Sequence, residues 1–556
     1  MDRRTFLTYS LAGGAMVWAG SAVPSALQPL FEAQAQTANL DVFPQSVGAG
    51  DPRANGIVLW TRALPRTRPS AATVSFQVAS DANFGTIVLS GTAQTEPGRD
   101  YTVKVQLRDR PELRPATVYF YRFLLDGQSS PVGRFKTLPA PGDTVNRVNF
   151  AFLSCSDYTN GFFSAFRFLA DEDIDFVVHL GDAIYETVFA PTFQNNRRPL
   201  ELPSGLASAQ SLEDYRALYQ VYYNDPDLRR LRERHAFITI WDDHEYANDA
   251  YQEFNTDTDN PAQNRSPNRR QVASQAWAEY TAAAVDFDPG RTPLDAIQIY
   301  RSFEIGNLVE LVMTDERLYR GAPPCGLNTA LAPGCAAVVD PSRTMLGETQ
   351  RRWFLDKMTR SPRTWKIWGN EVMTMQMKIS RAIVNGAGVP GLSLPADLFA
   401  TLDQWDGYAA ERSEIFNALR SSNVRNFVTI TGDLHTFIAG YQRLNFDGLL
   451  APRAVPTDAV GVEFVTGSIT ASNLAEQPNP FNLDINTTTQ LLSASNPHFQ
   501  FFNSNTHGYT LVSVTPNDLT CTMKEVSTVT EPNATLRVLK TYRVPNGQVL
   551  IQEVTA

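Results

Sequence analysis

The sequence predicts an α/β protein with an all-β unit on its N-terminal side, on three observations. Residues from about 40 to 138 fall into short runs in which apolar and polar side chains alternate, the period of a strand. Beyond about residue 145 the strand-length runs are apolar throughout and helical stretches separate them, the pattern of buried strands covered by helices. At 556 residues the chain exceeds what one hydrophobic core usually organises, so two domains are expected. With 43% hydrophobic and 19% charged residues the composition is that of an ordinary globular protein. A formal net charge of −10 speaks against binding a nucleic-acid duplex or docking on anionic lipid.

In order along the chain, residues 1–35 read as an address. "DRRTFL" sets Arg3 and Arg4 ahead of Phe6 and Leu7, "LAGGAMVWAG" is weakly apolar and glycine-containing, and Ala33-Gln34-Ala35 offers a small-residue cleavage site. The segment resembles a twin-arginine export signal, with a Sec signal as the alternative. The expected location is therefore periplasmic or secreted, with the twin-arginine machinery as a partner. No later stretch has the roughly 18 consecutive apolar residues that span a bilayer, so no transmembrane anchor is expected.

Residues 36–140 are expected to form a β-sandwich like the immunoglobulin or fibronectin type III folds. Its strands are "GIVLWTRA", "ATVSFQVAS", "TIVLSGTAQ", "YTVKVQL", "TVYFYRFLLDG" and "GRFKTL", parted by Asp, Asn, Gly and Pro. "LPAPGD", residues 138–143, is a Pro/Gly linker. Residues 145–530 are expected to form the α/β domain, with residues 531–556 as a C-terminal extension. The domain's strands are "VNFAFLSC", "FVVHLGD", "FITIWDDHE", "LVELVMTDER", "WKIWGN" and "FVTITGDLH". Helices are expected at "FFSAFRFLADED", "SLEDYRALYQVYY", "RRQVASQAWAEYTAAA", "ETQRRWFLDKM" and "ERSEIFNALR". Cys325 and Cys335 bracket the loop "CGLNTALAPGC" and, in an oxidising compartment, are expected to pair remote from the chemistry.

Five of the strands run directly into groups able to bind a metal. They are Cys155 with Asp157, Asp182 with Tyr185, the run Asp242-Asp243-His244-Glu245, Asp315, and Asp433 with His435. Ligands of open α/β sheets bind beyond the carboxyl ends of the strands, so these groups are expected to converge. A single Asp after a strand is usually the N-cap of the next helix. Five strands in succession, with Cys, Tyr and His among them, make capping a poor account of the whole set. Convergent carboxylates repel unless cations lie between them.

These motifs, "GD-x-x-Y", "DDHE" and "GD-x-H", resemble the metallophosphoesterase superfamily, and in particular the PhoD-type alkaline phosphatases. The resemblance extends through "FPQSVGAGDPRANGIVLWTR", "FLSCSDYTNGFFSAF", "HLGDAIYE", "TIWDDHEYANDA", "TMLGETQRRWFL", "DQWDGYAAER" and "NPHFQFFNSNTHGY". It implies a four-layer α/β/β/α catalytic sandwich. It also implies Fe³⁺ held by Cys155, Tyr185, His435 and Asp182, the last bridging to one or two Ca²⁺ ions. Asp243 and Asp433 stand where the superfamily's usual "GNHE" and "GHxH" carry Asn and His, and carboxylates there suit Ca²⁺. Asp242 is either a further ligand or structural. His244 is the implied electrophile or proton donor towards the leaving oxygen, Glu245 is read as its partner in preference to a ligand, and Glu186 stands behind Asp182 and Tyr185 in support. Arg317 is read as a phosphate clamp or, equally, a surface ion pair. Tyr185 could instead be a core tyrosine, and Cys155 a core thiol or a partner of Cys521. His179 is read as core, while His498 and His507 either close over the site or do not.

The implied activity is hydrolysis of small phosphate mono- and diesters, phospholipid and teichoic-acid-like diesters among the candidates. A phospholipase D-like phosphodiesterase is the alternative. A non-catalytic surface-binding protein is disfavoured because the ligand set is intact, and no G-x-S-x-G elbow supports a serine esterase.

Overall fold

The computed structural model describes residues 39–554 apart from 259, 261–262, 328, 389–391, 449, 478–480 and 482, so the export signal expected at 1–35 lies outside the described residues. Among the described residues two large sheets, of ten and seven strands, stack on one another. In the first, Val148–Leu153, Phe176–Leu180 and Ala236–Ile240 run parallel side by side. In the second, Val309–Met313, Trp365–Asn370, Phe427–Thr431 and Ala459–Val465 do the same. Their residues are buried almost without interruption, as the apolar runs require, because each sheet is covered on both faces.

The largest core joins the facing sides of the two sheets, with Phe152, Val178 and Leu180 meeting Leu311, Met313, Ile367 and Ile430. Helix Leu212–Tyr223 buries Tyr215, Leu218, Tyr219 and Tyr222 against the first sheet, and Ser211 with Asp214 forms its capping box. Helices Gly347–Arg360 and Ala409–Ser421 cover the outer side of the second, where Phe354, Met358, Ile415 and Phe416 pack on Trp368 and Val312. The result is a four-layer α/β/β/α sandwich.

The N-terminal segment is all-β, but its strands divide between two sheets. Ala72–Ala79, Ile87–Thr95, Val118–Leu125 and their short neighbours form a sheet of their own. Val47–Arg53, Gly56–Arg62 and Thr102–Leu107 instead continue the ten-stranded sheet, with Ala49 paired in parallel to Ala236 and Gly50 to Phe237. The chain at Gly50 approaches a loop so closely that an added Cβ would lie 1.8 Å from the Ala282 carbonyl oxygen. At the opposite edge Leu536–Pro545 and Gln552–Glu553 add two more strands. The expected boundaries near 140 and 530 thus fall inside one hydrogen-bonded sheet. No helix among the described residues is long and apolar enough to cross a membrane.

Candidate metal centre

The parallel strands of both sheets end on the same side, and their first loop residues form the site. Cys155 follows Val148–Leu153, Asp182 follows Phe176–Leu180, Asp242 and Asp243 follow Ala236–Ile240, and Asp433 and His435 follow Phe427–Thr431. Cys155, Asp182, Asp433 and His435 all adopt left-handed backbone, with φ of 61°, 56°, 60° and 53°. Each such residue costs of order 1–3 kcal/mol. The loops bear this because they are tied to one another, Cys155 N donating to the Gly181 carbonyl at 3.2 Å and Ser156 N to that of Asp182 at 2.9 Å. Gly181 itself has φ of 101°, and a Cβ there would lie 2.3 Å from that of Asp242. Only glycine lets the two loops come this close.

Three sets of ligand atoms lie within 4.8 Å of one another: Cys155, Asp182 and His435; Asp182, Asp243 and His244; Asp242, Asp243 and Asp433. Asp182 belongs to the first two sets and Asp243 to the last two, so the three form a continuous chain. Tyr185 joins the first set, its hydroxyl 3.0 Å from Asp182 Oδ2 and 3.2 Å from His435 Nε2. His435 Nδ1 lies 2.7 Å from the carbonyl oxygen of Ser472, which fixes the proton on Nδ1 and turns the Nε2 lone pair towards the others. Burial lowers this imidazole to about 4, so it is neutral and able to coordinate.

The first set offers thiol, phenol, carboxylate and imidazole. Burial, and then Asp182 beside each, pushes the Cys155 thiol and the Tyr185 phenol well above their ordinary values. Only a cation among them would make both anionic. The third set is all carboxylate, and Asp242 Oδ2 and Asp243 Oδ1 are buried with no hydrogen-bond partner. Burial raises Asp182 and Asp433, and the neighbouring carboxylates Asp242 and Asp243 raise them further. Orphaned anionic oxygens facing one another fit hard cations.

His244 is held from behind by Glu186, whose Oε2 lies 2.6 Å from Nδ1, while Glu186 Oε1 accepts from Asn248 N at 2.9 Å. Its ring lies over that of Tyr185, centroids 4.1 Å apart. The partner of His244 is therefore Glu186 and not Glu245. Glu245 accepts instead from the backbone N–H groups of Asp182 at 2.9 Å, Ala183 at 2.6 Å and Asp242 at 2.8 Å, fixing two strand ends together.

Arg317 is fully buried, so it is no surface ion pair. Its donors face carboxylates and not open space: Nε meets Asp242 Oδ1, Nη1 meets Asp403 Oδ2 at 2.6 Å, and Nη2 meets Asp433 Oδ1 at 2.9 Å. A guanidinium so occupied does not fit the phosphate-clamp reading. Asp315 stays outside the three sets, its Oδ1 accepting from Arg317 N and Leu318 N in a turn. Asp157 likewise caps a turn, accepting from Thr159 N and Oγ1.

Cys155 and Cys521 are both free and buried, so the disulfide alternative for Cys155 falls. Cys325 and Cys335 are bonded. The loop they close is less remote than expected, since Thr329 Oγ1 lies 3.5 Å from Asp249 Oδ2 and Asp249 N donates to Asp243. His179 is buried within its strand, as expected. His498 lies away from the ligands, Nε2 against the Gln376 carbonyl. His507 sits behind the Ser472 loop, bonded to Ser468 and Glu476. Asp403 and Gln404 are the residues that strand-end reasoning missed. Both lie in the "DQWDGYAAER" stretch, one of those that carry the family resemblance.

A family model described as PhoD-like phosphatase matches residues 150–523, and one for the N-terminal domain of PhoD-like phosphatases matches residues 29–139. Alkaline phosphatase D of Bacillus subtilis (strain 168) is 30% identical over 524 residues, which cover 92% of this chain and 82% of that protein. A solved structure of PhoD superposes with a TM-score of 0.80 at 30% identity, covering 92% of each chain. A purple acid phosphatase from yellow lupin (Lupinus luteus) seeds superposes with a TM-score of 0.51 at 11% identity, over 91% of this chain and 75% of that one, a likeness of fold alone.

Proposed function

Since the chain belongs to the PhoD-like phosphatase family and is a phosphoric ester hydrolase, we propose that it is an exported alkaline phosphatase that cleaves phosphomonoesters and phosphodiesters with Fe³⁺ and Ca²⁺. Fe³⁺ is assigned to Cys155, Asp182, Tyr185 and His435, and one or two Ca²⁺ ions to the carboxylates of Asp242, Asp243 and Asp433. The observation that carries this reading is the chain of three overlapping ligand sets joined through Asp182 and Asp243. The first and third sets differ in chemistry as the assignment requires: soft and hard donors mixed at one end, carboxylates alone at the other. Bound there, the metals would polarise phosphoryl oxygens and lower the pKa of water at neutral pH.

The chain's own residues complete the reaction. Asp182 belongs to the first and second sets, and so ties the iron end to Asp243 and through it to the acidic end. The Ser472 carbonyl keeps the His435 Nε2 lone pair turned inward. Glu186 engages His244 Nδ1 and leaves Nε2 as the nitrogen that delivers a proton to the departing alkoxide. The Phe193 ring lies beside this histidine, centroids 6.0 Å apart.

Hydrolysis of p-nitrophenyl phosphate and bis-p-nitrophenyl phosphate, each with and without a Ca²⁺-selective chelator, tests the reading. Activity on both esters should vanish on chelation and return with Ca²⁺. Full activity after exhaustive chelation, with no iron by elemental analysis, would remove the metals from the account. Export is tested separately, because the twin-arginine route reads the guanidinium pair. Arg3→Lys with Arg4→Lys should leave active enzyme inside the cell, and unchanged export would favour a Sec route.

A further inference from the structure

Arg317 lies at the centre of the acidic half of the site, and its contacts are selective at the level of single oxygens. It takes Asp242 by Oδ1 and Asp433 by Oδ1, with Asp243 Oδ2 at 3.7 Å. The opposite oxygens of the first and third of these, Asp242 Oδ2 and Asp243 Oδ1, are the buried atoms without partners. Gln404 Nε2 steadies the remaining oxygen of Asp433 at 2.5 Å, while Gln404 Oε1 accepts from Met373 N at 2.5 Å.

The guanidinium is itself anchored from behind. Asp403 binds Arg317 Nη1 through Oδ2 at 2.6 Å and Arg320 Nη2 through Oδ1 at 2.6 Å. Arg320 in turn donates to the carbonyls of Asp249, Ala250 and Asp403. All three side chains are buried, so the relay Arg320–Asp403–Arg317 has no solvent in which to relax.

We propose that this relay is a positioning unit for the cation site: Arg317 grips one oxygen each of Asp242 and Asp433 and lies beside Asp243, so that the unpartnered Asp242 Oδ2 and Asp243 Oδ1 are presented to a divalent cation. The inference rests on the metal-dependent reading above. It gives Arg317 a task different from gripping the substrate's phosphate, and different from merely offsetting negative charge. A planar fork can orient several carboxylates at once, whereas a lysine ammonium at the same place supplies the charge without the geometry.

Isothermal titration of Ca²⁺ into the full exported chain, depleted of labile cations, separates the three roles for Arg317→Lys and Arg317→Met. If Arg317 positions the ligands, both variants bind Ca²⁺ about 10- to 100-fold more weakly, the usual loss when the support of a metal ligand is removed. The methionine variant would weaken although it makes the site more negative. If Arg317 only offsets charge, the lysine variant keeps wild-type affinity and the methionine variant binds more tightly, which overturns the proposal. If it clamps phosphate, Ca²⁺ affinity stays the same in both while inhibition by inorganic phosphate weakens, which also overturns it. Should the methionine variant fail to fold by circular dichroism, the lysine variant and Asp403→Glu decide, the latter shifting the anchor with its charge kept. Unchanged Ca²⁺ affinity in both would overturn the proposal. A wild type that binds no Ca²⁺ would overturn the cation reading itself, a result distinct from any of these.

Discussion

Tyr185 and Cys155 are the residues on which the identity of the metal turns. A phenol 3.0 Å from Asp182 Oδ2 and 3.2 Å from His435 Nε2 is placed to share their ion, and a buried thiol unpaired with Cys521 is free to do the same. With Fe³⁺ bound to phenolate and thiolate the purified enzyme should be coloured by charge transfer. Tyr185→Phe keeps the ring and removes the oxygen, so the visible band should shift or disappear and activity should fall. Cys155→Ser exchanges a soft thiolate for a poorly ionised hydroxyl, and should move the band as well. Asp182→Asn should cost most, since an amide cannot serve two cations with two anionic oxygens. Absorption and elemental analysis of the three variants check this; a colourless, iron-free and fully active wild type would remove iron. At this scale the sequence was legible where a ligand follows its strand directly. It was not legible for Arg317, because only folding shows four carboxylates around one guanidinium.

At the scale of the element, the ends of the strands matter more than their interiors. Apolar runs identified the central strands of both sheets because burial on both faces leaves no alternation to misread. The sequence alone makes Glu245 the expected partner of His244. Its actual role depends on Phe176–Leu180 and Ala236–Ile240 lying in parallel register, which brings three N–H groups from two loops onto one carboxylate. Glu245→Gln exchanges one acceptor oxygen for an NH₂ that faces N–H donors. At least one buried hydrogen bond is lost, about 1–3 kcal/mol. The variant should melt at lower temperature and lose activity out of proportion, because the backbone N–H anchors of both Asp182 and Asp242 loosen together. Thermal denaturation beside steady-state kinetics checks it. A stable variant with wild-type kcat would mean that the two loops hold each other without Glu245.

At the scale of the whole molecule, the linker "LPAPGD" is where composition suggests a boundary, and composition cannot report that a strand from one side pairs with a strand from the other. That pairing depends on contacts almost two hundred residues apart, Ala49 with Ala236. The N-terminal segment is bound to the catalytic part by more than backbone. Arg301 holds Asp51 through two nitrogens, at 2.7 and 2.8 Å. Trp60 Nε1 donates to the Glu279 carbonyl at 2.7 Å, and Lys104 Nζ to those of Ala278 and Val285 at 2.7 and 3.0 Å. A chain beginning at residue 145 would expose the edge of Ala236–Ile240, the strand that delivers Asp242 and Asp243. It would also leave Arg301 without its carboxylate, and the apolar face that covers Ala236 would be gone. Such a fragment should therefore show no cooperative thermal transition, should be cut rapidly by protease, and should hydrolyse no ester. A fragment that melts cooperatively and keeps its activity would establish instead that the catalytic sheet closes without its three N-terminal strands.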